Sequence, residues 1–396
     1  MPKIILADPK KERVLVFDAT GSDTMAGMVL NGIDHGVLHA RREVFYLTWP
    51  ILWGVLKNLK YLGRDVVVML KSDGAEGLGM AGRCRRFLGG FIAGLNRIYL
   101  LSCIEWIRPF VVVTLIDNSY DFQWISRVYR GAFFVAIQNG MRIRSCLKDS
   151  LNGRVISMPV LICFGEHDVN LFRKYGHQID AYYPAGSLKA RYFHDALSVK
   201  GRQPEFELCL LSAWVEYILT EKELSPICRG ILKLDELLAR YVRESGATLC
   251  IALRSTDKKE RDYFLRTYGA GVHFVDSDAA VFSSYNAADR SEVTVSCFST
   301  LDREVFGWGA KVFCCNFSGD DQYDFPCPGF WSMNVPDYGL FKAGLDHVRR
   351  MDIDSYRRQI KDNARYIMNN DARTPQEIVR ELIFETLEGK GDGRIH

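Results

Sequence analysis

The sequence predicts an α/β protein of two layered domains that face each other across a cleft. Three observations lead there. The chain has 396 residues, too many for one small core and enough for two ordinary domains. Apolar residues make up 48% and charged residues 25%, a globular balance that excludes disorder of the whole chain. Finally, short β-branched runs alternate with helix-like stretches through both halves.

In the first half the runs are Val14–Phe17, Val44–Leu47, Val66–Leu70, Val111–Ile116, Phe133–Ile137 and Val160–Phe164. Several are apolar at nearly every position, as expected of strands covered on both faces in a parallel sheet. Trp53–Leu62, Phe91–Ile107 and Asp121–Arg130 read as helices between them. The second half repeats the rhythm. Its strands are Ala247–Leu253, Val272–Val275, Glu292–Ser296 and Lys311–Cys315; its helices are Ile231–Glu244, Lys258–Tyr268, Thr300–Phe306, Asp354–Asn369 and Pro375–Leu387. The last has Thr374 as N-cap, Pro375 at the first helical position and Glu377 close behind. The expected division is residues 1–195 as a first domain, 196–225 as a linker, 226–372 as a second domain and 373–396 as a terminal helix with a frayed tail.

Charge and cysteine usage narrow the setting. Lys plus Arg is 51 and Asp plus Glu is 48, a net charge of +3, far from the basic balance of a nucleic-acid binder. No apolar core follows the first charges, so no signal peptide is expected. The 11 cysteines are odd in number, scattered and without Cys-x-x-Cys pairing. They read as reduced, mostly buried thiols in a cytoplasmic protein, and no ligand spacing suggests a metal. Arg83–Arg86 beside FLGGFIAGL mixes basic and apolar residues. It reads either as a peripheral contact with the inner face of a membrane or as a helix of the first domain's core. Asp320, Asp321 and Asp324 in GDDQYDF read as a solvated loop.

Ligands of parallel sheets bind outside the carboxyl ends of the strands, so polar residues directly after strands carry the candidate chemistry. Asp117 and Asn118 end VVVTLIDN, where the Asp is either a base or nucleophile or the start of an Asx turn. Gln138, Asn139 and Gly140 end the next strand, with Arg142 just beyond. They suit a hydroxyl-rich or anionic ligand, or a plain Asn-Gly turn. Glu166, His167 and Asp168 end a third strand; His167 could titrate near neutrality, and Asp168 could equally cap the next helix. An α/β-hydrolase reading of that loop lacks the required Gly-x-Ser-x-Gly elbow. Ser299 and Thr300 open a helix carrying Glu304, an arrangement suited to a nucleotide's phosphates and ribose, or simply a capped helix.

Taken together, SCIEWIRPFVVVTLIDN, IQNGMR, FGEHDVNLFRKYG with YYPAGSLKARYF, and FSTLDREVFGWGAKV resemble a family of surface-carbohydrate biosynthesis proteins with the two-domain glycosyltransferase fold called GT-B. QNG more distantly resembles the acidic Glu-Asp-Gly motif of bacterial β-Kdo transferases, with amides at Gln138 and Asn139 in place of the acids. The resemblance implies two Rossmann-like domains and no resident metal or cofactor. It implies a nucleotide-sugar donor, with a CMP-linked ulosonic acid as one candidate, and a glycan or lipid-linked acceptor of lipopolysaccharide or capsule. It places the acceptor on the first domain and the nucleotide on Ser299, Thr300 and Glu304. Arg142 and Lys189 would offset the departing phosphate, Asp117 would be the first candidate for the catalytic carboxylate, Asp168 the second, and His167 a proton acceptor. Asn118, Gln138, Asn139, Gly140 and Glu166 would complete the substrate pocket. An epimerase of the same shape and a non-catalytic carbohydrate-binding subunit are the alternatives.

Overall fold

The computed structural model describes residues 3–7, 9–18, 23–40, 44–62, 80–149, 154–198, 203–215, 224–278, 282–370 and 373–391. The expected strand Val66–Leu70 lies outside them. Two six-stranded sheets form the frame, and every pairing in both is parallel.

The first domain opens with β1 (Lys3–Ile5), β2 (Val14–Asp18), helix α1 (Asp23–Leu30), β3 (Gly36–His39) and β4 (Val44–Tyr46). Helices α2 (Trp49–Asn58) and α3 (Met80–Ile107) follow, then β5 (Val111–Thr114), α4 (Tyr120–Val128), β6 (Phe133–Ile137) and β7 (Ser157–Cys163). Helix α5 (Glu166–Lys174), β8 (Gln178–Pro184) and α6 (Leu188–Tyr192) complete it. The sheet order is β3-β2-β5-β6-β7-β8. Val111–Thr114 are buried at every position because helices cover both faces. One face is packed by α3 and α4 through Leu100, Ile104, Phe122 and Ile125. The run Val44–Leu47 does not enter this sheet; β4 instead pairs with β1 in a separate two-stranded sheet.

The second sheet runs β11-β10-β9-β12-β13-β14. Its strands are β9 (Phe206–Leu211), β10 (Leu249–Ala252), β11 (His273–Val275), β12 (Ser291–Ser296), β13 (Lys311–Cys315) and β14 (Ser332–Met333). The helices between and after them are α7 (Pro226–Ser245), α8 (Lys258–Tyr268), α9 (Ser283–Asp289), α10 (Thr300–Gly307), α11 (Tyr338–Arg350), α12 (Ile353–Ile367) and α13 (Pro375–Gly391). The chain order of strands reverses between β9 and β12, the topological switch point of a doubly wound sheet.

Two placements depart from the expected division. Strand β9 falls inside residues 196–225, yet it is a central strand of the second sheet, with Leu208, Cys209 and Leu210 buried. Helix α13 packs on the first domain, where Ile378, Val379, Leu382 and Ile383 join the cluster around Val14, Val16 and Val135. The chain thus crosses between the domains twice. The second crossing, Tyr366–Asn370, runs against the first domain so closely that a Cβ at Gly165 would sit 2.4 Å from the Tyr366 carbonyl oxygen. A Cβ at Gly186, at φ +83°, would meet Asn370 Oδ1 at 2.5 Å. The close approach of backbone requires glycine at 165, and the left-handed φ requires it at 186.

Candidate functional site

A cleft of about 470 Å³ opens where the two domains meet, at the carboxyl ends of β9, β10 and β12. It therefore lies at the second sheet's switch point. Asn139, Met141 and Lys189 form its front wall. Ser212, Arg254, Ser277, Ser284, Ser299 and Thr300 bring most of the polar groups of the rear wall.

The rear wall is built by local sequence. Ser299 caps α10: its hydroxyl accepts from Leu301 N at 3.1 Å, and Asp302 accepts from Ser299 N at 3.1 Å. This is a capping box, and it leaves the positive end of the helix turned toward the cleft. Thr300 meets the front wall, its Oγ1 accepting from Met141 N at 3.1 Å. Arg254 lies two residues past the end of β10. The buried Glu260 accepts from Arg254 N at 2.9 Å, from Ser255 N at 2.8 Å and from the Ser212 hydroxyl, so one carboxylate holds two loops of the rear wall in place. The Arg254 side chain is left exposed at the cleft.

The front-wall residues behave differently. Asp117 is buried and takes a bidentate ion pair from Arg142: Nε donates to Oδ2 at 2.9 Å and Nη2 donates to Oδ1. Asn139 N adds a third donor at 3.2 Å. Asp117 thus stands behind the cleft as a fully engaged acceptor and not as an open base. Arg142 is likewise committed: it also donates to Asn139 Oδ1 and to the Met141 carbonyl, and is not free for phosphate. Gln138 is buried. Its amide donates to Asp168 Oδ1 and to the Gly140 carbonyl, both at 2.9 Å, and accepts from Phe164 N. The Gln138-Asn139-Gly140 turn therefore ties β6 to β7 and does not present two acceptors to a ligand.

Asp168 is wholly buried on α5, and burial raises its carboxyl to about 6, opposed by Arg303 and the Gln138 bond. It does not cap α5; Gly165 occupies that position. His167 packs edge-on to Tyr366 with ring centres 5.8 Å apart. Burial first, and Arg303 second, lower it to about 4, so it is neutral at pH 7 and far from the poise expected of a neutral-pH switch. Neither residue lines the cleft. Glu166 and Asn118 are exposed and are not among the cleft residues.

Glu304 reaches the cleft, but both oxygens are engaged. Ser187 of the first domain donates to Oε1, and Tyr285 donates to Oε2 at 2.8 Å. Burial pushes its carboxyl up to about 7, against the bonds from Ser187 and Tyr285 and the charge of Lys189. Glu304 is thus an interdomain tie at the edge of the cleft.

Of the expected site, Lys189, Asn139, Ser299, Thr300 and Glu304 line one hollow, while Asp117, Arg142, Gln138 and Asp168 form a buried network behind it. Sequence reading missed Arg254, Ser212 and Ser277. Arg254 directly follows the expected strand Ala247–Leu253 and met the same criterion that selected Asp117, whereas Ser212 follows β9, which lay inside the expected linker. Asp320 and Asp321 are not merely solvated: each pairs with Arg144 at 2.8 Å, across the domain boundary. Among the described residues, no group of three His, Cys, Asp or Glu side chains is placed to hold a metal. None of the eleven cysteines is in a disulfide.

Two parallel sheets, a cleft at the switch point and a terminal helix returned to the first domain define a two-domain α/β protein of the GT-B type. Among solved structures, the chain is similar to a protein assigned as a UDP-N-acetylglucosamine 2-epimerase from Listeria monocytogenes, with TM-score 0.54, 12% identity and 98% of each chain covered. It is also similar to the UDP-N-acetylglucosamine 2-epimerase of Rickettsia bellii, with TM-score 0.51, 12% identity, and 99% of this chain and 97% of that one covered. A glycosyltransferase from Rickettsia africae gives TM-score 0.49, 11% identity and coverage of 94% and 98%. No family model matches the sequence, and no curated protein does. At these identities the likeness is one of fold.

Proposed function

We propose that the cleft binds a nucleotide-sugar and that the protein is a glycosyltransferase acting on a surface-glycan or lipid-linked acceptor held against the first domain. The observation that carries this reading is the character of the hollow. Among the described residues it holds two cations, Lys189 and Arg254, several hydroxyls and a helix N-terminus, while the one lining carboxylate among them, Glu304, is already doubly hydrogen-bonded. Such a lining stabilises charge that develops on a departing phosphate. In the transfer, the bond from the sugar's anomeric carbon to the phosphate oxygen breaks, and its electron pair leaves with the phosphate. The acceptor oxygen forms the new bond, and the departing phosphate can take the acceptor's proton. Two cations match the two charges of a nucleoside diphosphate better than the single charge of a CMP-linked donor. Of the candidate donors raised by resemblance, the CMP-linked ulosonic acid is therefore the weaker.

A second reading is a nucleotide-sugar 2-epimerase, since the Listeria monocytogenes and Rickettsia bellii structures, each above TM-score 0.5, carry that name. Epimerisation at C2 needs a group to remove the C2 proton, and among the described residues no unengaged carboxylate lines the cleft. The two readings separate in heavy water. An epimerase exchanges the C2 hydrogen of UDP-N-acetylglucosamine for deuterium without any acceptor; a transferase does not. Calorimetry with UDP, GDP, CMP and their sugars tests the shared premise. Arg254→Ala and Lys189→Ala should each weaken nucleotide binding at least about tenfold, as expected for loss of a charged hydrogen bond, with the melting temperature unchanged. No heat with any nucleotide would overturn both readings.

A further inference from the structure

Helix α2 carries its apolar stripe on the wrong side for a core helix. Ile51 and Asn58 face inward and are fully buried, and a Cβ on Gly54 would meet Ser102 of α3 at 2.9 Å. Trp49, Leu52, Trp53 and Leu56 recur at the i, i+3, i+4, i+7 spacing of a helix face, and that face looks outward. Trp49 is 73% exposed, Trp53 61%, Leu56 56% and Leu52 42%. On α3, Phe87, Leu88 and Ile92 of the first turns are also exposed, with the Phe87 and Phe91 rings stacked. Scattered exposed apolar residues need no explanation, but a contiguous stripe with two tryptophans does.

The charge around the stripe identifies its partner. Helix α2, the turn Leu59–Tyr61 after it and helix α3 hold six basic residues and one acid in sequence, whereas the rest of the chain is net negative; Arg97, one of the six, is buried and paired with Asp121, which leaves five. Lys57, Lys60 and Arg85 are exposed. The one acid, Glu105, already accepts from Asn58 at 3.0 Å and lies 3.8 Å from Lys57. A second copy of the chain packed symmetrically on this face would oppose like charges, with no free acid to answer them among the described residues of α2 and α3. An anionic lipid surface answers them and also accepts indole rings at headgroup depth. Helix α3 is apolar enough over Phe87–Ile107 to span a bilayer, but Ile98, Leu100, Leu101 and Ile104 are core residues of the first domain, so it cannot leave the fold.

We propose that the outer face of α2, with the first turns of α3, docks on an anionic lipid bilayer and lies in its interface without crossing it. The inference stands apart from the reaction at the cleft, because its readout is vesicle binding. The full chain is floated with vesicles of phosphatidylcholine alone and with vesicles containing about 30% phosphatidylglycerol. The wild type should float with the anionic vesicles only, with tryptophan emission shifted to the blue, and should release as salt is raised. Trp49→Ser/Trp53→Ser and, separately, Lys57→Glu/Lys60→Glu/Arg85→Glu should each reduce the bound fraction at least about tenfold. The second set changes only exposed charge, so it reads the proposal even if the first variant folds poorly. A wild type that stays unbound, or that binds neutral vesicles equally well, overturns the proposal. So does a lipid-free dimer in light scattering that the tryptophan variant dissociates, because a second copy would then cover the face.

Discussion

The two walls of the cleft hold similar residue types and use them differently. On the front wall, Asp117, Arg142, Gln138 and Asp168 bond to one another and to nearby backbone. On the rear wall, Glu260 and Asp302 fasten the loops from behind and leave Arg254, Ser299 and Thr300 turned to the hollow. The difference teaches that a polar cluster after a parallel strand is not itself a site. In the first domain Asp117, Arg142, Gln138 and Asp168 are buried, and they satisfy each other. In the second domain the reversal of strand order at β9 and β12 opens a crevice, and the polar groups face a ligand.

The largest expected effect breaks the front wall. Asp117→Ala leaves the Arg142 guanidinium buried and unpaired, which should cost about 3–5 kcal/mol in chemical denaturation. Nucleotide affinity, measured under conditions where the variant stays folded, should hold. Wild-type stability combined with abolished turnover would return Asp117 to the chemistry and erase the distinction between the walls.

A smaller effect sharpens the role of Glu304, which joins them. Its carboxyl is raised to about 7 by burial, above the ordinary value near 4.5. Between those values the folded state holds the proton more tightly than the unfolded state. This group's contribution is therefore full below pH 4.5 and is lost as pH rises through about 7. Asp168, raised to about 6, acts in the same direction. Melting temperature should fall from pH 5 to pH 8, with a single such group contributing at most about 1.4 kcal/mol per pH unit. Glu304→Gln should flatten the fall. An unchanged slope would show that the tie does not titrate.

Ser299→Ala gives the smallest change in stability. Losing the cap of α10 should cost about 1 kcal/mol in thermal melts. Because Ser299 also lines the hollow, nucleotide affinity should drop as well. Loss of stability with affinity intact would make this serine a cap only, and the rear wall would then resemble the front.

Much of the frame was legible in the chain. Runs such as Val111–Ile116 and Phe133–Ile137 are apolar at nearly every position, which only a strand covered on both faces explains. Ser299 as a helix start, and Lys189 and Thr300 as cleft residues, were also within reach of pattern and resemblance. Strand β9 was harder. Its run FELCLL sits between the charged stretches around Arg202 and Glu221, so composition drew a linker where the sheet has its centre. The terminal helix α13 gives no local sign that its apolar side will pack on a domain left far behind in the chain.

By itself the sequence determined the alternation of buried strands and capped helices, because periodicity and capping are properties of neighbouring residues. It also determined which positions carry charge. Tertiary structure decided what that charge meets. Asp117 finds Arg142 only because β5 and β6 are paired neighbours, and Arg254 and Lys189 line one hollow only because the two domains meet there. Hydrogen bonding and desolvation depend on what stands within a few ångströms in space, and chain order does not specify that.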